Sequence, residues 1–296
     1  MTRLGHLSTE GARPERAEID RLPTAELVAL MNDDDRAVPE AVGAAADAIA
    51  AAVDAIAARL ERGGRLIYAG AGTAGRIGVL DASECGPTFN TDRVLGVIAG
   101  GQVAVSEASE SAEDHADDGA RALAGLGVGE ADAVVGVSAS GRTPYVLGAI
   151  AHARDAGALT VGLACNAGSE LSAAVELPIE VLVGPEFIAG STRLKAGTAQ
   201  KLVLNMLSTL TMVRLGKTYG NLMVDVRVTN AKLRDRARRI VEQAAGVDAA
   251  AAAEALDAAG EDAKLAVAML RGGLTADEAR ARLAAAGGHL RRALGE

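Results

Sequence analysis

The chain has 296 residues, enough for one large α/β domain with a small satellite and too few for much more. Hydrophobic residues make up 49% of it, aromatic ones only 2%, so core volume must come from Ala, Val, Leu and Ile in closely packed helices rather than from a β-sandwich. A formal net charge of -9 removes the long-range attraction on which non-specific nucleic-acid binding depends; an anionic ligand must instead be captured by local donors.

The first twenty residues contain no apolar run resembling a signal peptide. Two cysteines, Cys85 and Cys165, make no disulfide framework, so a reducing, cytoplasmic setting is expected. Over residues 39–60, Val42, Ala45, Ile49, Val53, Ile56 and Leu60 recur at helical spacing, with Pro39 as start signal and Gly63-Gly64 as stop. Five short β-type runs follow at 65–70, 94–100, 133–140, 159–165 and 179–184, separated by helix-length segments. That alternation predicts an α/β fold: a doubly wound three-layer α/β/α sandwich with a mainly parallel sheet of about five strands.

Residues 195–244 predict two long helices. The first is nearly apolar all round, but Gln200, Lys201, Asn205 and Arg214 interrupt it, so it reads as a buried or subunit-interface helix and not a membrane span. The second carries Leu233, Ala237, Ile240, Val241 and Ala244 on one face, and its run KLRDRARR reads as a solvated surface. From Asp248 the pattern changes to short Ala-rich helices broken at Gly260, Gly272-Gly273 and Gly287-Gly288, with Thr275 and Glu278 spaced as a capping box. The expected organisation is an N-terminal arm with short helices (1–38), a main α/β domain (39–245) and a small helical C-terminal domain (246–296).

Several segments have the composition of a ligand site. VVGVSASGRTPYVLGAI ends a strand, gathers Ser138, Ser140, Gly141 and Thr143 in a tight turn, and opens a helix at Pro144. Exposed amides at such a start attract an anion, phosphate above all; the competing reading is that Thr143 caps the helix and the serines close the turn. YAGAGTAGRIGVLDASEC is a second glycine-rich strand-to-helix turn, at the same sheet edge. Gly70, Gly72 and Gly75 match the dinucleotide spacing, but the next strand ends in AGGQ without the acid that would hold a ribose. Glu84 is expected just past that helix, where Gly86-Pro87 ends regular structure; it is either an ordinary exposed acid or a carboxylate held near the sheet edge. In ESAEDHADD the acids Glu110, Glu113, Asp114, Asp117 and Asp118 suit a solvated helix start. His115 adds the thought of a metal, but consecutive helical acids diverge, and no metal is expected. GSTRLKAGTAQK places Lys195 and Lys201 before the apolar helix, either solvated or in contact with a sugar phosphate.

Together, GAGTAGRIGVLDASEC, ESAEDHADD, VSASGRTPYV, GSTRLKAGTAQKLVLNMLST and GNLMVDV resemble the N-acetylmuramic acid 6-phosphate etherases, a branch of the sugar isomerase (SIS) domain proteins. The likeness runs from STEG at 8–11 into the C-terminal helices. It implies an SIS fold and a cofactor-free lyase, with Glu113 as the base that removes the C2 proton and Glu84 as the acid that protonates the departing lactate oxygen. It further implies that Ser138, Ser140 and Thr143 hold the 6-phosphate with Thr73 nearby, that Gly72, Gly141, Glu110 and Lys195 complete the substrate-binding set, and that the protein pairs as a homodimer. Neither nucleic acid nor membrane is an expected partner. Ala74 stands where many relatives have Ser, and Gly86 where the family usually repeats Pro. The same architecture occurs in glucokinase regulatory proteins and in aldose-ketose isomerases, so a sensor without turnover or an isomerase is the alternative.

Overall fold

The computed structural model describes residues 7–107 and 110–296. After 3-10 turns at Ser8–Glu10, Pro14–Arg16 and Ile19–Arg21 come α1 (Thr24–Asp35), α2 (Ala37–Ala44) and α3 (Ala46–Glu61). The alternating part runs β1 (Leu66–Gly70), α4 (Gly72–Phe89), β2 (Val94–Ile98), α5 (Val103–Ser106), a 3-10 turn at Glu110–Asp114, α6 (Ala116–Gly125), β3 (Ala133–Ser138), α7 (Pro144–Asp155), β4 (Leu159–Ala164), α8 (Glu170–Ala174) and β5 (Leu177–Glu180). Then follow α9 (Lys195–Arg214), α10 (Ala231–Ala245), α11 (Ala249–Ala258), α12 (Ala263–Gly272), α13 (Ala276–Ala285) and α14 (Leu290–Leu294). The chain divides into two compact units, one taking in residues up to Ser83 with Arg93–Ser208, the other Glu84–Asp92 with Thr209–Glu296.

In the first unit the five strands are all parallel, in the order β2-β1-β3-β4-β5. Every residue of β1, β3 and β4 is buried, which is why these runs lack polar alternation: helices cover both faces. Strand order reverses between β1 and β3, so the crevice of the sheet opens where their carboxyl ends, Gly70 and Ser138, release the chain into α4 and α7. Both glycine-rich turns therefore flank the switch point.

Three sequence expectations need correction. The helix over 39–60 breaks at Ala45, and the chain bends by 57° between Thr24–Ala44 and α3; the break follows Gly43, a weak helix former. The last strand sits earlier than 179–184, because β4 ends at Ala164 opposite Glu180 and no partner remains beyond the bond from Val181 N–H to the Ala164 carbonyl, 2.9 Å. And α4 does not stop at Gly86-Pro87: it runs to Phe89, closing with Asn90 at φ 48. A proline there forfeits one helical bond near an end that is already fraying. Glu84 thus lies within the helix.

The second unit follows its sequence grammar closely. Asn230, Asp248 and Asp262 each accept an amide at the start of α10, α11 and α12, and Thr275 with Glu278 forms the anticipated capping box on α13. Its core includes Ala237, Ile240 and Val241 of α10 with Leu256 and Val267. Lys264 is buried in it at 7% exposure, donating to the carbonyls of Gly216 and Gly288 and to Asp225, so its three N–H bonds are all used. Among the described residues no single helix is long and apolar enough to cross a membrane.

Candidate functional site

The turn between β3 and α7 gathers hydroxyl groups. Ser138 Oγ lies 2.8 Å from Thr143 Oγ1 and 3.3 Å from Ser140 Oγ. The Gly141 amide donates to Ser138 Oγ at 3.0 Å and the Arg142 amide to Ser140 Oγ at 3.3 Å. Thr143 is the N-cap residue of α7 but its side chain caps no amide and faces Ser138 instead, whereas the two serines do close the turn, so the competing reading holds for the serines and not for Thr143. Gly141 is required: its φ is +66, and a Cβ there would lie 2.3 Å from Ser169 Cβ. Three hydroxyls thus gather at the amide end of a 12-residue helix with Pro144 at its first turn, a chemistry and a position that suit an anion.

The β1–α4 turn uses glycine differently. A Cβ on Gly75 would meet Ile98 Cγ1 at 2.6 Å and the Gly70 carbonyl oxygen at 2.8 Å, so these glycines let α4 seat against the sheet. Their dinucleotide-like spacing reports packing. Gly72 is exposed with φ +51, Thr73 is half-buried beside Gly197 of α9, and Ala74 is buried.

Further along α4, Asp81 is 6% exposed and accepts from Tyr68 Oη (2.8 Å), Asn205 Nδ2 (2.6 Å) and Ser208 Oγ (3.2 Å). Burial pushes its carboxyl above the usual range, against the pull of those bonds and the Lys201 charge. Glu84 is exposed, and its carbonyl accepts from Thr88 Oγ1 at 2.8 Å. It begins the second unit; Glu113, also exposed, belongs to the first, in the turn Glu110–Asp114. The backbone of Glu110 shares that turn, and its side chain lies outside the described residues. Asp117 and Asp118 occupy the first turn of α6, as a helix start favours, and among the described residues no three His, Cys, Asp or Glu groups converge as metal ligands do.

Lys195 is more enclosed than its sequence context suggests. It is 5% exposed, and its ammonium donates to the Val183 carbonyl at 2.7 Å. Burial and the neighbouring Arg13 lower its pKa, with Asp34, Glu186 and Asp35 opposing. Glu186, which no local motif signals, accepts the amides of Lys195 (2.9 Å) and Ala196 (3.0 Å) and so caps α9. Cys165 is buried and its thiol pushed up to about 12 by burial and by Glu186, which leaves it inert. On the other flank of the hydroxyl turn a cleft of about 540 Å³ is lined by Ser8, Ser140, Arg142, Asn166, Ser169 and Glu170 among others.

Residues 48–154 match the family described as the glucokinase regulatory protein N-terminal SIS domain. An N-acetylmuramic acid 6-phosphate etherase from Rubrobacter xylanophilus is 64% identical across 99% of this chain and 98% of its own length. Proteins of the same name from Streptomyces avermitilis and Aeromonas hydrophila are 60% and 51% identical, each match covering 97% of this chain and 93% and 97% of the respective relative. Among solved structures, a phosphoheptose isomerase from Francisella tularensis superposes with a TM-score of 0.49 at 21% identity, covering 64% of this chain and 97% of that one.

Proposed function

The chain belongs to the N-acetylmuramic acid 6-phosphate etherase family, and on that premise we propose that it is a carbon–oxygen lyase cleaving the D-lactyl ether of N-acetylmuramic acid 6-phosphate to N-acetylglucosamine 6-phosphate and D-lactate. The observation that carries this reading is the hydroxyl cradle of Ser138, Ser140 and Thr143 in a chain 64% identical to an etherase along nearly its whole length. The cradle, with Gly72, Thr73, Gly141 and Lys195, holds the phosphate end of the sugar, and Glu110 contributes from the acidic turn.

The chemistry needs two proton-transfer groups and no cofactor. In the open-chain sugar the C1 aldehyde acidifies the C2 proton, which Glu113 removes. Electrons flow into the C2–C3 bond as the C3–O bond breaks, and Glu84 protonates the departing lactate oxygen. Glu84 then takes a proton from water as it adds at C3, and Glu113 returns the C2 proton, so the elements of lactic acid leave and those of water enter. Carboxylates do not assist phosphate capture, which they oppose by charge, so a pair of them beside the cradle would favour turnover over sensing.

The product is a common amino-sugar phosphate, which supports a role in recycling cell-wall sugar in the cytoplasm. It acts as a homodimer, for which Met206, Leu210 and Val213, exposed at 38%, 43% and 43% on one side of α9, supply an apolar contact face. A monomer by light scattering at micromolar concentration would contradict the dimer. An enzyme-coupled lactate assay with chelator present and no added cofactor tests the activity. The match to the regulatory-protein domain supports a second reading, a sugar-phosphate sensor, to which tight binding without lactate release would point.

A further inference from the structure

The cradle turn is held from behind by a side chain that takes no part in the chemistry above. Asn166 follows β4 at 4% exposure, and its amide is fully engaged. Its Oδ1 accepts from the Ser8 amide at 2.8 Å and from Ser8 Oγ at 2.9 Å. Its Nδ2 donates to Thr9 Oγ1 at 3.1 Å and to the Ala139 carbonyl at 2.9 Å. That carbonyl also receives the Cys165 amide at 3.0 Å, so both its lone pairs are occupied. Ala139 lies between the two cradle serines. Because a trans peptide is planar, fixing the Ala139 carbonyl also fixes the N–H of Ser140, which points the opposite way, away from Asn166.

On the other side, Thr9 is wholly buried, and its carbonyl accepts the Gly190 amide at 3.2 Å, in the loop that leads to Lys195. We propose that Asn166 is a positioning residue for the bound phosphate: it aims the Ser138–Ser140 turn by locking the Ala139 peptide, and it couples that turn to the N-terminal Ser8–Thr9 segment and, through Thr9, to the loop at Gly190. The inference rests on the reading of the cradle as the phosphate site.

The test uses the full chain. Asn166→Asp keeps size and both Ser8 bonds but sets a carboxylate oxygen against the Ala139 carbonyl, two acceptors facing. The KM for lactate release, and the Kd for N-acetylglucosamine 6-phosphate by calorimetry, should each rise about tenfold, the size of a lost net hydrogen bond, with kcat within about threefold. Lys264→Met, in the second unit, should lower Tm without moving KM, which separates positioning from lost stability. Hydrogen exchange on the wild type adds a readout that requires no variant: N-acetylglucosamine 6-phosphate should slow the Ser8 and Gly190 amides. A KM and Kd within about twofold of wild type in Asn166→Asp, or amides at Ser8 and Gly190 indifferent to ligand, would overturn the proposal. Failure of the wild type to release lactate counts against the etherase reading alone, since the Kd comparison still decides this one; a wild type that binds no sugar phosphate sinks both.

Discussion

Two strand-to-helix turns flank the same crevice, and they solve different problems. The β1–α4 turn is built of glycines whose missing side chains let a helix approach the sheet; the β3–α7 turn carries hydroxyls that face one another at a helix start. Both look like phosphate loops in sequence. The comparison teaches that glycine spacing reports how closely backbones pack, whereas clustered hydroxyls at a helix N-terminus report what the loop can hold.

Substitutions can break this contrast or sharpen it. The largest effect is expected on the helix that the first turn launches: Glu84→Gln should lower lactate release by about 10²- to 10⁴-fold while retaining sugar-phosphate binding by calorimetry. Unchanged release would remove Glu84 from the mechanism. In the second turn, Ser138→Ala should raise KM by about ten- to a hundredfold through loss of the proposed phosphate contact, with only a modest fall in Tm from the lost bond of the Gly141 amide. In the first turn the pattern should invert. Gly75→Ala should cost about 1 to 3 kcal/mol of stability in denaturant titrations, through the clash with the Gly70 carbonyl, and leave KM of the folded fraction nearly unchanged. A larger effect on KM than on stability at Gly75 would erase the distinction between the turns.

The smallest effect concerns pH. Burial raises the Asp81 carboxyl above its ordinary value of 3.8, so the folded state holds that proton more tightly than the unfolded chain. Its contribution to stability is full below the unfolded pKa and is lost as pH rises through the raised folded value. The Tm of wild type relative to Asp81→Asn should therefore fall as pH rises past the ordinary value of 3.8 and level off once the raised folded value is passed. A flat difference would mean that Asp81 titrates normally.

The parallel sheet, its five strands and the hydroxyl turn were legible because period and punctuation are local signals. Apolar runs bounded by turns mark buried strands, and Ser-x-Ser-Gly before Pro144 marks a loop entering a helix. The end of β5 was not legible, because it depends on where β4 stops and not on Val181 and Val183, which continue the apolar run beyond the strand. Likewise Pro87 reads as a helix terminus, yet the helix outlasts it. Asn166, Asp81 and Glu186 escaped for a related reason: an amide 158 residues from Ser8, or a carboxylate bonded 124 residues away to Asn205, carries no local mark of its partner. Glu186 sits only nine residues before the amide it caps, but no standard capping motif has that spacing.

The central claim, elimination of lactate across C2 and C3 followed by hydration, is tested most directly by running the wild type on N-acetylmuramic acid 6-phosphate in oxygen-18 water and weighing both products. The account predicts one heavy oxygen at C3 of N-acetylglucosamine 6-phosphate and unlabelled D-lactate. Label in the lactate hydroxyl, or tight substrate binding with no products at all, would contradict it.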